Sequence, residues 1–212
     1  MILQFSEAEE LFAKNDFEAL KQQLLSVGRK LQYSKGMTIQ SGKNEVLVII
    51  SGRMLVSTSK KNSLIIGDTV PFFPVGLMEE YYKIPLFYYI ENEATVVQLT
   101  VEDFNKLFFY NPEYAQLLTR IMSIISVRLI HAYYERVNDS GYATIREMLH
   151  RYLFKIEEGT VINVGVASFI LKRTRLSRSY VFQVLSALKR GGYITICNGK
   201  LVSINREIPE RY

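Results

Sequence analysis

The 212-residue chain is poor in the side chains that most chemistry needs: one cysteine, Cys197, two histidines, His131 and His150, and no tryptophan. A single thiol excludes an internal disulfide and any cysteine-rich zinc or iron–sulfur centre built within one chain. Cys197 lies in the turn ICNGK, where Lys200 is the one neighbour that would favour a thiolate, so an incidental cysteine is expected. Both histidines fall in helical patterns with no acidic residue at ligand spacing, and HExxH, GxSxG and GxxxxGK[ST] sequences are absent. Neither an enzyme nor a bound metal or cofactor is expected. No apolar run is long enough to span a bilayer, and the opening MILQFSEAEELF places no basic segment before its apolar residues. A cytoplasmic location without membrane contact is the expectation.

What the chain does have is an ordinary folded composition, 48% hydrophobic and 22% charged, and an uneven distribution of charge. Residues 140–212 carry 12 Lys and Arg against 5 Asp and Glu, a balance of +7, while residues 1–139 carry 14 against 16. A basic last third points to a polyanionic partner; a solvated charged face is the plainer alternative.

The pattern inside that basic third narrows the choice. Val181, Val184, Leu185 and Leu188 recur three or four apart and give a helix one buried stripe. Ser177 stands where an N-cap belongs, and Gly191-Gly192 ends the helix. Val166, Phe169 and Ile170 form the stripe of a preceding short helix, with only a few residues around Arg175 between the two. Two short helices across a tight turn read as helix-turn-helix, whose second helix enters the DNA major groove. Asn198-Gly199, between YITIC and KLVSIN, is a strong hairpin signal and supplies a wing. Arg178, Ser179, Tyr180 and Gln183 face outward and are the candidate base readers, Arg178 for guanine and Gln183 for adenine. Lys172, Arg173, Arg175, Ser177, Lys189, Arg190 and Lys200 are assigned to phosphates, which position the protein without reading sequence.

The remainder is organised around strands. Residues 6–28 follow helical spacing through Leu11, Phe12, Phe17, Leu20, Leu24 and Leu25, with a break at Asn15-Asp16. From Arg29 to Thr100, β-branched segments alternate with turns at Gly36, Gly42, Gly52, Lys61-Asn62 and Gly67-Asp68, the spacing of a compact barrel or roll. Residues 71–89 interrupt it with either a short helix near Leu77–Tyr82 or an irregular flap. Thr100 caps a short helix carrying Phe104, Leu107 and Phe108, with Asp103 placed as in a capping box. Pro112 then opens a long helix. Tyr114, Leu118, Ile121, Ile125, Arg128 and Ala132 keep coiled-coil spacing, flanked by Leu117, Ile124 and Leu129. Its apolar surface is wider than one face needs, which favours a dimer helix over a monomeric amphipathic one. Asn138-Asp139-Ser140-Gly141 breaks it, and a helix over about 142–154 follows.

With these pieces in order, the chain resembles the cyclic-AMP receptor protein/FNR (CRP/FNR) family of bacterial transcription regulators over residues 29–204. YSKGMTIQSG with EVLVIISGRMLV is similar to the family's β-roll, TVVQLTVEDFNKLF to the exit from it, and SRSYVFQVLSALKRGGYI to its recognition helix. The resemblance implies an α+β fold with N-terminal helices and a cyclic-nucleotide-binding-like β-roll over 1–111, a dimerisation helix over 112–138 and a winged helix-turn-helix over 139–212, hinged at Asp139. It implies a homodimer on a pseudo-palindromic double-stranded DNA operator, with RNA polymerase as a further partner. Family members that bind cyclic nucleotide hold its phosphate with a Gly-Glu segment and an Arg-Ser pair. The corresponding stretch, GLMEEYYKIPLFYYIENEATV from Gly76, lacks a glutamate beside that glycine and any arginine, so cyclic AMP is not expected to bind. Phe72, Phe73, Phe87, Tyr88 and Tyr89 then either line a pocket for an apolar effector or simply fill the roll. If the roll still grips a small molecule, the chain could instead be a sensor whose C-terminal domain docks a protein. Arg175 stands where the family has glycine; an arginine in a left-handed turn costs roughly 1 kcal/mol, and Leu171 replaces a small residue.

Overall fold

A computed structural model describes residues 16–59, 64–82, 84–134, 136, 140–157, 159 and 163–210. The chain forms two compact units, Met1–Leu129 and Ile130–Tyr212. The division falls inside the long helix, and the expected Asp139 hinge lies outside the described residues. No helix among the described residues is long and apolar enough to cross a membrane.

The first described element is α1 (Asp16–Val27), which buries Phe17, Leu20 and Leu24; Leu11, Phe12 and Asn15 lie outside the described residues. Eight strands follow: β1 (Arg29–Tyr33), β2 (Thr38–Ile39), β3 (Glu45–Ser51), β4 (Met54–Ser57), β5 (Ile65–Asp68), β6 (Pro74–Val75), β7 (Phe87–Ile90) and β8 (Ala94–Thr100). They pair antiparallel in two sheets, ordered β1-β8-β3-β6 and β2-β7-β4-β5. One core is shared by both: Val46 to Ile49, Val96, Val97 and Leu99 from the first sheet, and Ile39, Met54, Val56, Tyr88 and Ile90 from the second. The β3–β4 turn depends on Gly52, at φ 87, because a Cβ there would sit 2.3 Å from the Glu93 carbonyl oxygen. The turn at Lys61-Asn62 lies outside the described residues.

The helices of this unit follow their caps. The short stretch after Gly76 is helical, α2 (Leu77–Tyr81). Ahead of α3 (Val101–Phe109), the Thr100 hydroxyl oxygen accepts the Asp103 N–H at 3.0 Å and donates to the Asp103 carboxylate at 2.7 Å. The capping box is thus modified: aspartate, one methylene shorter than glutamate, binds the Thr100 hydroxyl. In α4 (Pro112–Tyr134), Pro112 is the first helical residue and Asn111 accepts N–H bonds from Glu113 at 3.0 Å and Tyr114 at 3.4 Å. The inner side of α4 places Leu117, Leu118, Ile121, Ile124 and Ile125 in the core of its own unit. Residues read as a partner seam are therefore used first to close the roll. The apolar side chains left exposed lie toward the other end: Val127, Leu129, Ile130, Tyr133 and Tyr134.

The second unit contains α5 (Gly141–Glu157), α6 (Val166–Arg173), α7 (Arg178–Arg190), β9 (Ile194–Cys197) and β10 (Lys200–Ile204). Ser140 caps α5 by accepting the Ala143 N–H at 3.1 Å, one residue earlier than helical spacing alone suggested. The core joins Ile145, Met148, Leu149 and Tyr152 of α5, Val166, Phe169 and Ile170 of α6, and Val181, Val184, Leu185 and Leu188 of α7 to Ile194 and Leu201 of the hairpin. This is a winged helix-turn-helix, and the chain as a whole is α+β.

Candidate nucleic-acid interface

The interface is built on α7, whose stripe of Val181, Val184, Leu185 and Leu188 is fully buried. At about 1.5–3 kcal/mol for each buried aliphatic side chain, that stripe fixes which face turns outward. Ser177 is the N-cap, accepting the Tyr180 N–H at 3.3 Å. It thus uses a lone pair of its hydroxyl within the helix, while its side chain stays exposed near Ser179 Oγ at 3.2 Å.

The turn between α6 and α7 is made differently from expectation. Arg175 does not take a left-handed conformation, because the chain leaves α6 through Thr174 in an extended conformation, φ −128 and ψ 167. The Thr174 hydroxyl donates to the Ile170 carbonyl at 3.0 Å and accepts the Leu176 N–H at 3.4 Å. A threonine hydroxyl thereby does the work for which glycine is otherwise used, and Arg175 carries no backbone strain. Leu171 is accommodated half-buried at the edge of the core.

The wing is a two-residue hairpin with Asn198 at φ 49 and Gly199 at φ 76, both in the left-handed region that its turn requires. Its tip is tied to the first helix: Val166 N–H donates to the Gly199 carbonyl at 2.8 Å, satisfying a group that a helix start leaves orphaned. Gly165 permits the approach, since a Cβ there would lie 3.1 Å from that oxygen. At the other end, the Asn205 side chain donates to the Gly192 carbonyl at 3.2 Å, and Arg206 lies over the Tyr193 ring, 4.0 Å from its centroid, while bonding the Gly191 carbonyl. Helix ends and hairpin are thus locked together. Cys197 is exposed on this hairpin.

Of the expected base readers, Arg178, Ser179 and Gln183 are exposed. Tyr180 is half-buried, its ring lying where a Cβ on Gly141 would meet it at 2.8 Å, so it packs against the start of α5. Among the phosphate candidates Lys172, Arg175, Ser177, Lys189, Arg190 and Lys200 are exposed. Arg173 is different. It is 9% exposed, with its guanidinium 3.9 Å from the centroid of Phe169, which in turn meets Tyr152 edge-on at 5.2 Å. At that depth the guanidinium packs on the Phe169 ring, unlike the exposed cations around it. Phe182, which the outward-facing set omitted, is 45% exposed on α7.

In the roll, the five aromatic residues do not converge on one pocket. Tyr88 is fully buried and meets Phe73 edge-on at 5.8 Å, and Phe72 stacks on Phe17 at 5.0 Å. Phe87 and Tyr89 alternate with Tyr88 along β7, which sends them to the opposite face, both half-buried; Tyr89 donates to the Ser59 carbonyl at 2.8 Å. The Tyr88 hydroxyl donates to Glu79 Oε1 at 3.0 Å, and its pKa is pushed up by burial and by that carboxylate. Glu79 Oε2 is buried and meets no donor among the described residues. Arg53 is held by Glu91 and, at 3.6 Å, by Asp68. Of the expected dimer-helix residues, Leu117, Leu118, Ile121, Ile124, Ile125 and Ala132 are buried, Arg128 half-buried and Leu129 exposed.

Comparison with known proteins agrees with this fold. Residues 141–210 match a family described as winged helix-turn-helix DNA binding. Over 210 residues, covering 93% of this chain and 96% of the other, the sequence is 29% identical to an Escherichia coli K12 protein named inhibitor of hydrogen peroxide resistance. The c-di-GMP responsive global regulator CLP of Xanthomonas campestris superposes with a TM-score of 0.69 at 14% identity, over 89% of this chain and 100% of that one. A structure assigned to the CRP/FNR family of transcriptional regulators, from Eubacterium rectale, gives 0.65 at 13% identity over 88% and 90%. The chain has the fold of the CRP/FNR regulators.

The placement of Arg173 is directly testable. Arg173→Ala should lower the unfolding free energy by about 1–3 kcal/mol, through lost packing and the lost cation–ring contact. Lys172→Ala should change it by no more than about 0.5 kcal/mol. Urea unfolding of both variants checks this, and equal stability of the two would return Arg173 to the surface set.

Proposed function

We propose that this chain, with its CRP/FNR fold and winged helix-turn-helix, is a cytoplasmic, homodimeric, sequence-specific DNA-binding transcription regulator that is not controlled by cyclic AMP and has no enzymatic activity. The observation that carries the reading is the outer face of α7: Arg178, Ser179 and Gln183 exposed on a capped helix whose inner face is fully buried. Exposed cations at Lys172, Arg175, Lys189, Arg190 and Lys200 in the same unit supply the charge that phosphates need. Dimerisation is supported by the apolar side chains left in solvent on α4, Val127, Leu129, Ile130, Tyr133 and Tyr134, which are 44–68% exposed. RNA polymerase is the partner through which such a regulator would act.

Independence from cyclic AMP rests on electrostatics. A cyclic phosphate diester brought to the start of α2 would meet the Glu79 carboxylate, one oxygen of which already lacks a donor. Arg53 is occupied by Glu91 and Asp68. The name of the E. coli relative further suggests that the controlled genes bear on peroxide defence.

Three outcomes follow. In gel shifts against genomic fragments at moderate salt, the protein should prefer particular sequences over bulk DNA; Arg178→Ala should relax that preference, whereas Lys189→Ala should weaken all sequences alike. Binding to all fragments equally, or equal effects of the two substitutions, would sink the reading of α7. Calorimetry with cyclic AMP should give no heat of binding, and a micromolar fit would overturn the account of the roll. Deleting the gene should raise survival of its host after a hydrogen peroxide challenge; unchanged survival would separate this protein from that relative.

A further inference from the structure

One large apolar side chain of α7 lies outside its buried stripe. Phe182 is 45% exposed and is the only such residue exposed in that helix. It lies one turn from Arg178, whose guanidinium carbon is 5.6 Å from the ring centroid. Ser179, Gln183 and Ser186 around it are exposed and polar, and Arg178, Lys189 and Arg190 on the same helix are exposed and cationic. A bare phenyl ring among cations fits neither a solvated face nor a protein-docking patch, which would be apolar over a wider area. It fits a polyanion that offers one apolar group at a defined place. In the major groove the one apolar group on a base edge is the 5-methyl of thymine, and a phenylalanine ring is among the side chains that can contact it.

We propose that Phe182 is a specificity-determining residue that reads the 5-methyl group of a thymine beside the base contacted by Arg178. The assignment rests on the reading of α7 as the helix that enters the groove. Residues 178 and 182 are separated by about 6 Å along a helix, and base pairs are about 3.4 Å apart, so the thymine falls within about two base pairs of the Arg178 contact. The ring beneath the guanidinium also restrains Arg178, so the two side chains present a cation and an apolar edge as a unit. Phe182 lies outside the buried stripe, so its replacement is expected to leave the domain folded.

The test begins with a consensus selected from random duplex DNA by the unaltered protein. Each thymine of the bound duplex is then replaced in turn by 2′-deoxyuridine, which removes only the methyl group, and affinity is measured by fluorescence anisotropy. One position per half-site should lose about three- to tenfold in affinity, the scale of a single buried methyl or a modest base contact. In Phe182→Ala the thymine and deoxyuridine duplexes should bind equally, while Phe182→Leu, which keeps apolar atoms in place, should retain part of the difference. Deoxyuridine replacement without effect at every position, or the same loss in the unaltered protein and Phe182→Ala, overturns the assignment of Phe182 alone. Failure of the unaltered protein to select any consensus overturns the reading of α7 itself.

Discussion

A helix can present a reading face only when its other face is fully spent, and the burial of Val181, Val184, Leu185 and Leu188 is the constraint on which the C-terminal unit depends. Those four side chains leave α7 no rotational freedom, since turning it would exchange buried aliphatic groups for Ser179, Gln183 and Ser186. Everything around the helix reinforces that orientation. Ser177 closes its start, Gly191 and Gly192 close its end, and Asn205 with Arg206 ties those glycine carbonyls to the chain beyond the wing. The wing in turn is fastened at its tip, where the Gly199 carbonyl accepts the first N–H of α6. Removal of any one contact loosens an end; loss of the stripe would remove the orientation itself.

The roll shows the same economy turned to a different purpose. Its aromatic residues are committed to one another and to its core, through Phe17 with Phe72 and Phe73 with Tyr88. Four of its charged groups are committed too, with Arg53 between Glu91 and Asp68 and Glu79 bound to Tyr88. An anion brought to the start of α2 would meet the Glu79 carboxylate. The proposed independence from cyclic AMP rests on that arrangement, within an architecture shared with the CRP/FNR regulators.

How far these features were legible in the sequence depended on how local their causes were. The Ser177 cap, the α7 stripe, the Asn198-Gly199 turn and Pro112 at a helix start are set by a few adjacent residues, and each stands where the pattern placed it. The alternation of strands and turns was enough for the roll. Contacts between distant segments were not legible. The bond from Val166 to Gly199 joins residues far apart in the chain, and only Gly165 and Gly199 hint at the close approach. The burial of Arg173 was not legible because a long aliphatic stem can carry a guanidinium inward onto Phe169 as readily as outward. The five aromatic residues looked like one cluster because proximity in sequence hides the alternation of a strand. Arg175 seemed strained only because glycine is the usual solution to that turn, and Thr174 supplies another through its hydroxyl. Phe182 was readable in principle: it falls outside the three-and-four spacing of the stripe, and an apolar residue off the stripe is an exposed one.

The central claim is that α7 reads DNA and does so in pairs. Hydroxyl-radical footprinting of the protein on a bound genomic fragment tests both halves together. The account predicts two protected patches related by inverted symmetry, centred about one helical turn apart and lying on one side of the duplex. A single patch without symmetry would contradict the paired arrangement, and uniform protection along the fragment would contradict the claim that α7 reads sequence at all.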